Sequence, residues 1–249
     1  MGKIRLFLEH TLFEGQFLYL DSEQTHYLVT VMRLKTGDSL HVFNGIDGEW
    51  LAKIDDSKGK ILQCVTQSKP QNHEQNNAAN IKLIFAPLKK KRTNWVVEKA
   101  CELGVKEIFP VLTDYTSTKH INEQRLRKYA IEAAEQCGRI TVPRLHALQS
   151  LPALFLAWSP HEPIIFCDVE CEDKTIERVL MNWKVVSACA ISSCAILIGP
   201  EGSFSAEERA YLLKQPFVHG VSLGADVLRA ETAAIAAIAV AQSVFRSYS

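Results

Sequence analysis

The 249-residue chain reads as an α/β protein in two parts, a small β-barrel followed by a parallel sheet covered by helices. Three observations predict this. Residues 68–80, Ser-Lys-Pro-Gln-Asn-His-Glu-Gln-Asn-Asn-Ala-Ala-Asn, hold almost no large apolar side chain and have the composition of an interdomain linker. Before them lie short alternating or β-rich runs broken by Gly and Asp turns, the pattern of a small barrel. After them, strand-length apolar runs alternate with helix-length segments, which implies parallel strands covered by helices.

The barrel strands are expected at residues 4–8, 17–20, 39–43, 50–54 and 61–66. One helix interrupts them. Asp21 stands at its N-cap and Gln24 at the capping-box position, while Tyr27, Leu28, Val31 and Leu34 are spaced to share one face. Arg33 and Lys35 stand at its end, where they either complement the negative end of the helix dipole or make an intermolecular contact. Beyond the linker, a buried strand at 81–85 leads to a helix at 93–103 ended by Gly104, and a strand at 107–111 leads to a helix at 122–137 ended by Gly138. A strand at 164–167 and a helix at 174–181 follow. Next come a strand at 195–198, a helix capped by Ser205 with Glu208 closing the box, and an apolar run at 217–223. The last helix, 230–245, is rich in Ala, whose small side chain permits close packing.

Composition limits the function classes. A hydrophobic content of 47% supports real cores and argues against disorder. No apolar run approaches the roughly 20 residues needed to span a bilayer, and the N-terminus lacks a signal peptide's long uncharged apolar region. Seven cysteines, an odd number at irregular spacings, suggest reduced thiols rather than a disulfide framework. A cytoplasmic protein with no membrane partner is expected. Cys167 and Cys171 have no second Cys/His pair at zinc-site spacing, so no metal is expected. The 28 basic and 28 acidic side chains cancel, but their distribution is uneven. Lys89, Lys90, Lys91 and Arg92 form an unbroken basic run directly after an apolar segment, and Arg125, Arg127, Lys128, Arg139 and Arg144 cluster further on. Such a run at a strand's end either binds phosphates or is a solvated helix start, although cations there oppose the macrodipole.

Two loops concentrate the chemistry. Leu197-Ile-Gly-Pro-Glu-Gly-Ser-Phe-Ser205 ends one buried strand, and Val221-Ser-Leu-Gly-Ala-Asp-Val-Leu-Arg-Ala-Glu-Thr-Ala233 follows another. In an open α/β sheet, ligands bind at such strand ends. Gly199, Gly202 and Gly224 allow positive φ and leave no Cβ between the backbone and a flat ligand. A dinucleotide-dependent oxidoreductase is set aside, because the first βα unit opens with Ala86-Pro-Leu-Lys-Lys-Lys instead of Gly-x-Gly-x-x-Gly.

These loops resemble the cofactor-binding region of the SPOUT methyltransferases, and specifically of the ribosomal RNA small subunit methyltransferase E family. The resemblance extends through most of the chain. It includes His26-Tyr-Leu-x-x-Val-Met-Arg-Leu-x-x-Gly-Asp38, Lys89-Lys-x-Arg-x-x-Trp-Val-Val-Glu-Lys-Ala-Cys-Glu-Leu-Gly-Val105, and Glu132-Ala-Ala-Glu-Gln-Cys-Gly-Arg139 with Pro143. It implies a PUA-like RNA-binding barrel over residues 1–70, a linker over 71–80, and a trefoil-knotted SPOUT domain over 81–249 whose last helix passes through the knot. It further implies a homodimer with active sites at the subunit interface, S-adenosylmethionine as cofactor, and methylation of N3 of one uridine in 16S rRNA, within the small ribosomal subunit.

That reaction removes an imide proton and spreads negative charge onto the O2 and O4 carbonyls, so a site must align the reacting atoms and place donors at the oxyanions. Arg139 is the first candidate donor, with Gln136 positioning it or the base; as a guanidinium, Arg139 would equally serve as a phosphate binder. Glu201 and Glu231 are candidate bases, each equally able to pin a loop by accepting backbone N–H bonds. Leu197, Gly199, Glu201, Gly202, Leu223, Gly224 and Leu228 are expected around the adenosine, largely through main-chain groups, with Thr232 adding a hydroxyl. Arg33, Lys35, Lys89, Lys90, Arg92 and Arg139 are the expected RNA contacts. Three positions depart from the family's usual pattern: Ser203 replaces a second glycine, Ala225-Asp226 stands where Pro-Arg is common, and Tyr115 stands where arginine is frequent. Two other readings stay open, a SPOUT enzyme methylating a ribose 2'-hydroxyl and a non-catalytic rRNA-binding assembly factor.

Overall fold

A computed structural model describes residues 3–56, 58–69, 80–89, 91–171, 174–186 and 193–246. The chain forms two compact units, Met1–Asn77 with Ala134–Val142, and Ala78–Ala133 with Pro143–Ser249. Most of the expected linker, residues 71–79, lies outside the described residues.

In the first unit, strands β1 (Arg5–Phe7), β2 (Phe17–Tyr19), β3 (Ser39–Phe43), β4 (Glu49–Ile54) and β5 (Ile61–Lys69) form one mixed sheet in the order β1-β3-β4-β5-β2. Only β1 and β3 pair in parallel. Alternation sends Leu18, Leu40, Val42, Ala52, Ile54 and Leu62 to one face, where Leu6, Leu8, Leu12 and Leu28 complete the core. Helix α1 (Ser22–His26) starts with the expected capping box: Asp21 accepts from the Gln24 N–H, and the Gln24 side chain accepts from the Asp21 N–H. The helix does not continue regularly. It widens into a π-turn, Tyr27–Val31, with Met32 N–H donating to the Tyr27 carbonyl. Leu28 is fully buried, with Tyr27 and Leu34 packed partly against the core, but Val31 is 58% exposed. The shared face expected for all four fails at Val31, because i→i+5 bonding rotates later residues away from the 3.6-residue pattern.

In the second unit, the parallel sheet runs β12-β10-β11-β6-β7-β8, with β9 also pairing with β7. Its strands are β6 (Asn80–Phe85), β7 (Glu107–Leu112), β8 (Arg144–Leu145), β9 (Gln149–Ser150), β10 (Ile164–Cys167), β11 (Ser193–Ile198) and β12 (Val218–Val221). The helices are α2 (Arg92–Glu102), α3 (Glu123–Cys137), α4 (Leu151–Ala157), α5 (Ile176–Val186), α6 (Ala206–Leu213) and α7 (Ala230–Arg246). The last residues of α3 belong to the first unit. Strand β11 is buried along nearly its whole length, as a strand covered on both faces must be. Helix α7 packs along β6 and β11 and against α2 and α5. A second apolar cluster joins Ile84, Val111, Phe166 and Leu197 from the strands to Leu151, Leu154 and Phe155 of α4 and Leu212 of α6. The chain steps from β6 to β7 in one direction and places β11 and β10 in the other. The β6/β11 boundary is therefore the switch point at which crevices open at the carboxyl ends of strands.

Candidate active site

The loops at that edge form two adjoining cavities. The larger, about 350 Å³, is lined by Arg92, Ile198, Gly199, Pro200, Glu201, Ser203, Phe204, Arg229 and Ala230. The smaller, about 70 Å³, is lined by Asp168 and by Val221 to Asp226. Cys167, Val169, Val227, Leu228 and Ala233 border both. Together they give a mostly apolar cleft with polar groups at its rim, as small-molecule sites have.

Of the three glycines, each free to take positive φ, only Gly224 does, at 129°. Its turn is fixed by Ser222, whose hydroxyl donates to the Gly224 carbonyl at 3.1 Å and accepts from the Gly224 N–H at 3.2 Å. Gly199 and Gly202 serve space instead. A Cβ on Gly199 would lie 2.6 Å from the Phe204 ring, and one on Gly202 would lie 3.1 Å from the Tyr115 Cβ. Positive φ falls on Ser203, at 62°, where the N–H closes a turn on the Pro200 carbonyl at 3.0 Å. The loop keeps its turn with serine in that position, and Ser205 then caps α6 in a complete capping box with Glu208.

Arg92 opens α2 without any acid in the helix's first turn. The acids come from elsewhere: Arg92 Nη1 lies 3.6 Å from Glu201 Oε1 and Arg92 Nε lies 3.4 Å from Glu231 Oε1. Glu201 Oε1 also accepts the Lys89 N–H at 3.0 Å, which ties the glycine loop to the basic run. Glu231 stands in the first turn of α7, where an anion suits the helix dipole. Its Oε2 is buried and meets no donor among the described residues.

The structure brings together Gly199, Glu201, Leu223, Gly224, Leu228 and Arg92 at the cavities. Leu197 lies in the sheet core and is fully buried, and Gly202 faces Tyr115. Thr232 is exposed on α7 and Lys89 is exposed beside Glu201, while Lys90 lies outside the described residues. Gln136 and Arg139 belong to the first unit. There Arg139 Nη2 donates to Thr141 Oγ1 at 3.1 Å, and its carbonyl accepts from Arg5 at 2.7 Å. Arg33 takes the left-handed conformation, φ 59°, and the Lys35 N–H donates to Asp38 Oδ2 at 2.7 Å. Sequence reasoning missed Cys167, Asp168 and Val169 at the end of β10. Asp168 is buried and gripped by Arg209 Nε at 2.9 Å, a pairing distant in sequence. Its only local signal was its place directly after an apolar strand. Burial pushes the Cys167 thiol far above its ordinary range, so this wall of the cleft is an uncharged thiol.

Residues 74–242 match the model of an RNA methyltransferase domain, and residues 20–67 that of an RNA methyltransferase PUA domain. A ribosomal RNA small subunit methyltransferase E of Rickettsia conorii is 33% identical over 94% of this chain and 93% of its own length, and one of Buchnera aphidicola from Acyrthosiphon pisum is 29% identical over 98% and 94%. Among solved structures, a putative methyltransferase of Legionella pneumophila in complex with bound S-adenosylmethionine superposes with a TM-score of 0.81. It is 30% identical and covers 98% of both chains. A Neisseria gonorrhoeae methyltransferase E, 22% identical with coverage of 97% and 98%, shares the fold at a TM-score of 0.80. A PUA-type mixed sheet, a SPOUT-type parallel sheet and a cleft at the carboxyl ends of its strands occur in one chain that matches these relatives nearly end to end. The chain belongs to the ribosomal RNA small subunit methyltransferase E family of RNA methyltransferases.

Proposed function

We propose that the chain transfers a methyl group from S-adenosylmethionine to N3 of one uridine in 16S rRNA, within the small ribosomal subunit. The observation that carries this is the pair of loops, 199–205 and 222–230, which border one cleft at the carboxyl ends of β10, β11 and β12 and bear the family's residues. The cleft fits the cofactor: Gly199 lets the Phe204 ring pack flush against the loop that walls it, and Gly224 holds a backbone angle that other residues rarely adopt, with open space where a Cβ would stand. Gly199, Glu201, Leu223, Gly224 and Leu228 would hold the adenosine. When bound, the cofactor supplies a methyl group on a positively charged sulfur.

The chain's own groups do the rest. Arg92, held between two carboxylates at the cavity wall, is a cationic donor in this unit for charge developing on the uracil carbonyls. Glu201 is engaged as a loop pin through the Lys89 N–H. Glu201 and Glu231 each engage their partners through Oε1 alone, and both stay assigned as candidates to accept the imide proton. Arg139 keeps its assignment as a donor to the base, with Gln136 positioning it or the base, and Arg139 is also assigned to the acceptor RNA with Arg33, Lys35, Lys89 and Lys90. The resemblance likewise supports a cytoplasmic homodimer, a knot threaded by α7, and the division into a barrel over residues 1–70, a linker and a catalytic domain from residue 81.

The test is to incubate the protein with labelled S-adenosylmethionine and unmethylated small ribosomal subunits, digest the RNA and identify labelled nucleosides by mass spectrometry. Labelled 3-methyluridine is expected. Labelled 2'-O-methyl nucleosides would overturn the chemistry, and absence of both label and cofactor binding would favour an assembly factor.

A further inference from the structure

We propose that Tyr115 is the platform on which the methyl-accepting base stacks. The inference rests on the function proposed above and names a substrate contact at the same site. The order β10-β11-β6-β7 sets three carboxyl-terminal loops side by side: the glycine loop after β11, the basic run after β6, and a turn at 113–118 after β7. The edge that holds the cofactor cleft thus continues through Glu201 and Lys89 to Tyr115.

Tyr115 is 54% exposed, yet its turn is fixed from both sides. The Thr113 N–H donates to Thr116 Oγ1 at 2.9 Å, the two threonine hydroxyls share a bond of 2.8 Å, and both residues are buried. The Asp114 N–H donates to Glu208 Oε1 at 2.9 Å, and the Ser205 hydroxyl donates to Asp114 Oδ2 at 2.5 Å. These tie the turn to the capped start of α6. On the other side, the Thr118 hydroxyl donates to the Leu88 carbonyl at 3.2 Å, directly before the basic run. The tyrosine side chain lies against Gly202, close enough that a Cβ there would come within 3.1 Å of its own Cβ.

A large aromatic that is exposed, held in place and seated on the cofactor loop has the features of a stacking surface. Uridine N3 lies on the pairing edge, so the base must leave its pair to react. Bases freed in this way stack on aromatic rings or on arginine planes. Tyr115 stands where the resemblance places arginine, and the two share that capacity while differing in charge. Exposed Lys89 and Lys91 nearby supply phosphate contacts, so the complementary occupant is single-stranded RNA.

Tyr115→Ala, Tyr115→Phe and Tyr115→Arg are compared in the full-length protein. The readouts are S-adenosylmethionine Kd by calorimetry, KM and kcat on small subunits, Kd for a labelled uridine-containing single strand, and oligomeric state by sedimentation. In Tyr115→Ala, RNA Kd and KM should rise about tenfold or more while cofactor Kd stays within about twofold. Tyr115→Phe should match the parent, and Tyr115→Arg should recover most of the loss. Three results would overturn the proposal: unchanged RNA binding in Tyr115→Ala, equal damage from Tyr115→Phe, or loss coupled to dissociation of the oligomer, which would give the ring to a second copy. If the parent forms no 3-methyluridine but the RNA Kd pattern holds, the failure belongs to the proposed chemistry and not to the platform.

Discussion

At the scale of single residues, Arg5 and Glu49 show a buried ion pair with every partner in place. Arg5 is 6% and Glu49 1% exposed, and Nε meets Oε2 at 2.7 Å. The remaining Arg5 nitrogens donate to the Ala134, Glu135 and Arg139 carbonyls, and the guanidinium lies 4.3 Å from the centre of the Phe43 ring. Burial alone would raise the Glu49 carboxyl, but the hydrogen bond and charge of Arg5, with Lys69 and His41, outweigh it and hold the group below its ordinary value. A carboxyl depressed in the folded state adds stability above the unfolded carboxylate value, roughly 4.3. That stability is lost as pH falls through the folded value. Glu49→Gln should therefore cost about 3 kcal/mol at neutral pH, by leaving Arg5 buried without its counter-charge. It should also flatten the fall in stability below roughly pH 4. Denaturant unfolding from pH 7 to pH 3 reads both effects, and an unchanged acid slope in the variant would dismiss the assignment. None of this was legible in sequence, because Arg5 sits in a strand pattern and its partners lie far along the chain.

At the scale of elements, legibility followed locality. Both capping boxes, at Asp21 with Gln24 and at Ser205 with Glu208, form as their spacing predicts, because donor and acceptor sit within one turn of each other. The glycines after α2 and α3 take positive φ as expected, Gly104 at 89° and Gly138 at 79°. What escaped were β8, β9 and α4, which are two, two and seven residues long, too short for periodicity to register. The π-turn after α1 escaped for a different reason, since a 3.6-residue template has no place for it. The Ser205 cap has a second role that sequence spacing did not reveal, in that its hydroxyl also reaches Asp114. Ser205→Ala should thus cost more than an ordinary cap, about 2 kcal/mol, at the upper end of the range for lost caps. Chemical denaturation should show a lower midpoint with unchanged slope. Exchange of the Asp114 amide should quicken, and protection as in the parent would mean that the turn does not depend on the cap.

At the scale of the whole molecule, the zero net charge gives no sign of the segregation at the sheet's edge. Three of the cavity-lining charges, Arg92, Glu201 and Asp168, pair with partners remote in sequence: Arg92 with Glu201 and Glu231, and Asp168 with Arg209. The glycine loops were legible because turn chemistry is local; these pairings were not, because only the strand order brings them together. One consequence can be separated experimentally. Lys89 and Lys91 are exposed, so their contribution to RNA affinity is counterion release, which scales with the logarithm of salt concentration. Removing both charges, as Lys89→Gln with Lys91→Gln, should lower the magnitude of the salt slope by about 1.4, from roughly 0.7 per phosphate contact on a single strand. A stacking contact carries no charge, so Tyr115→Ala should weaken binding by a similar factor at every salt concentration and leave the slope alone. Anisotropy titrations of one labelled RNA between about 50 and 200 mM salt distinguish these behaviours. If the lysine pair leaves the slope unchanged, the basic run does not meet the backbone, and its role narrows to tying the glycine loop through the Lys89 amide.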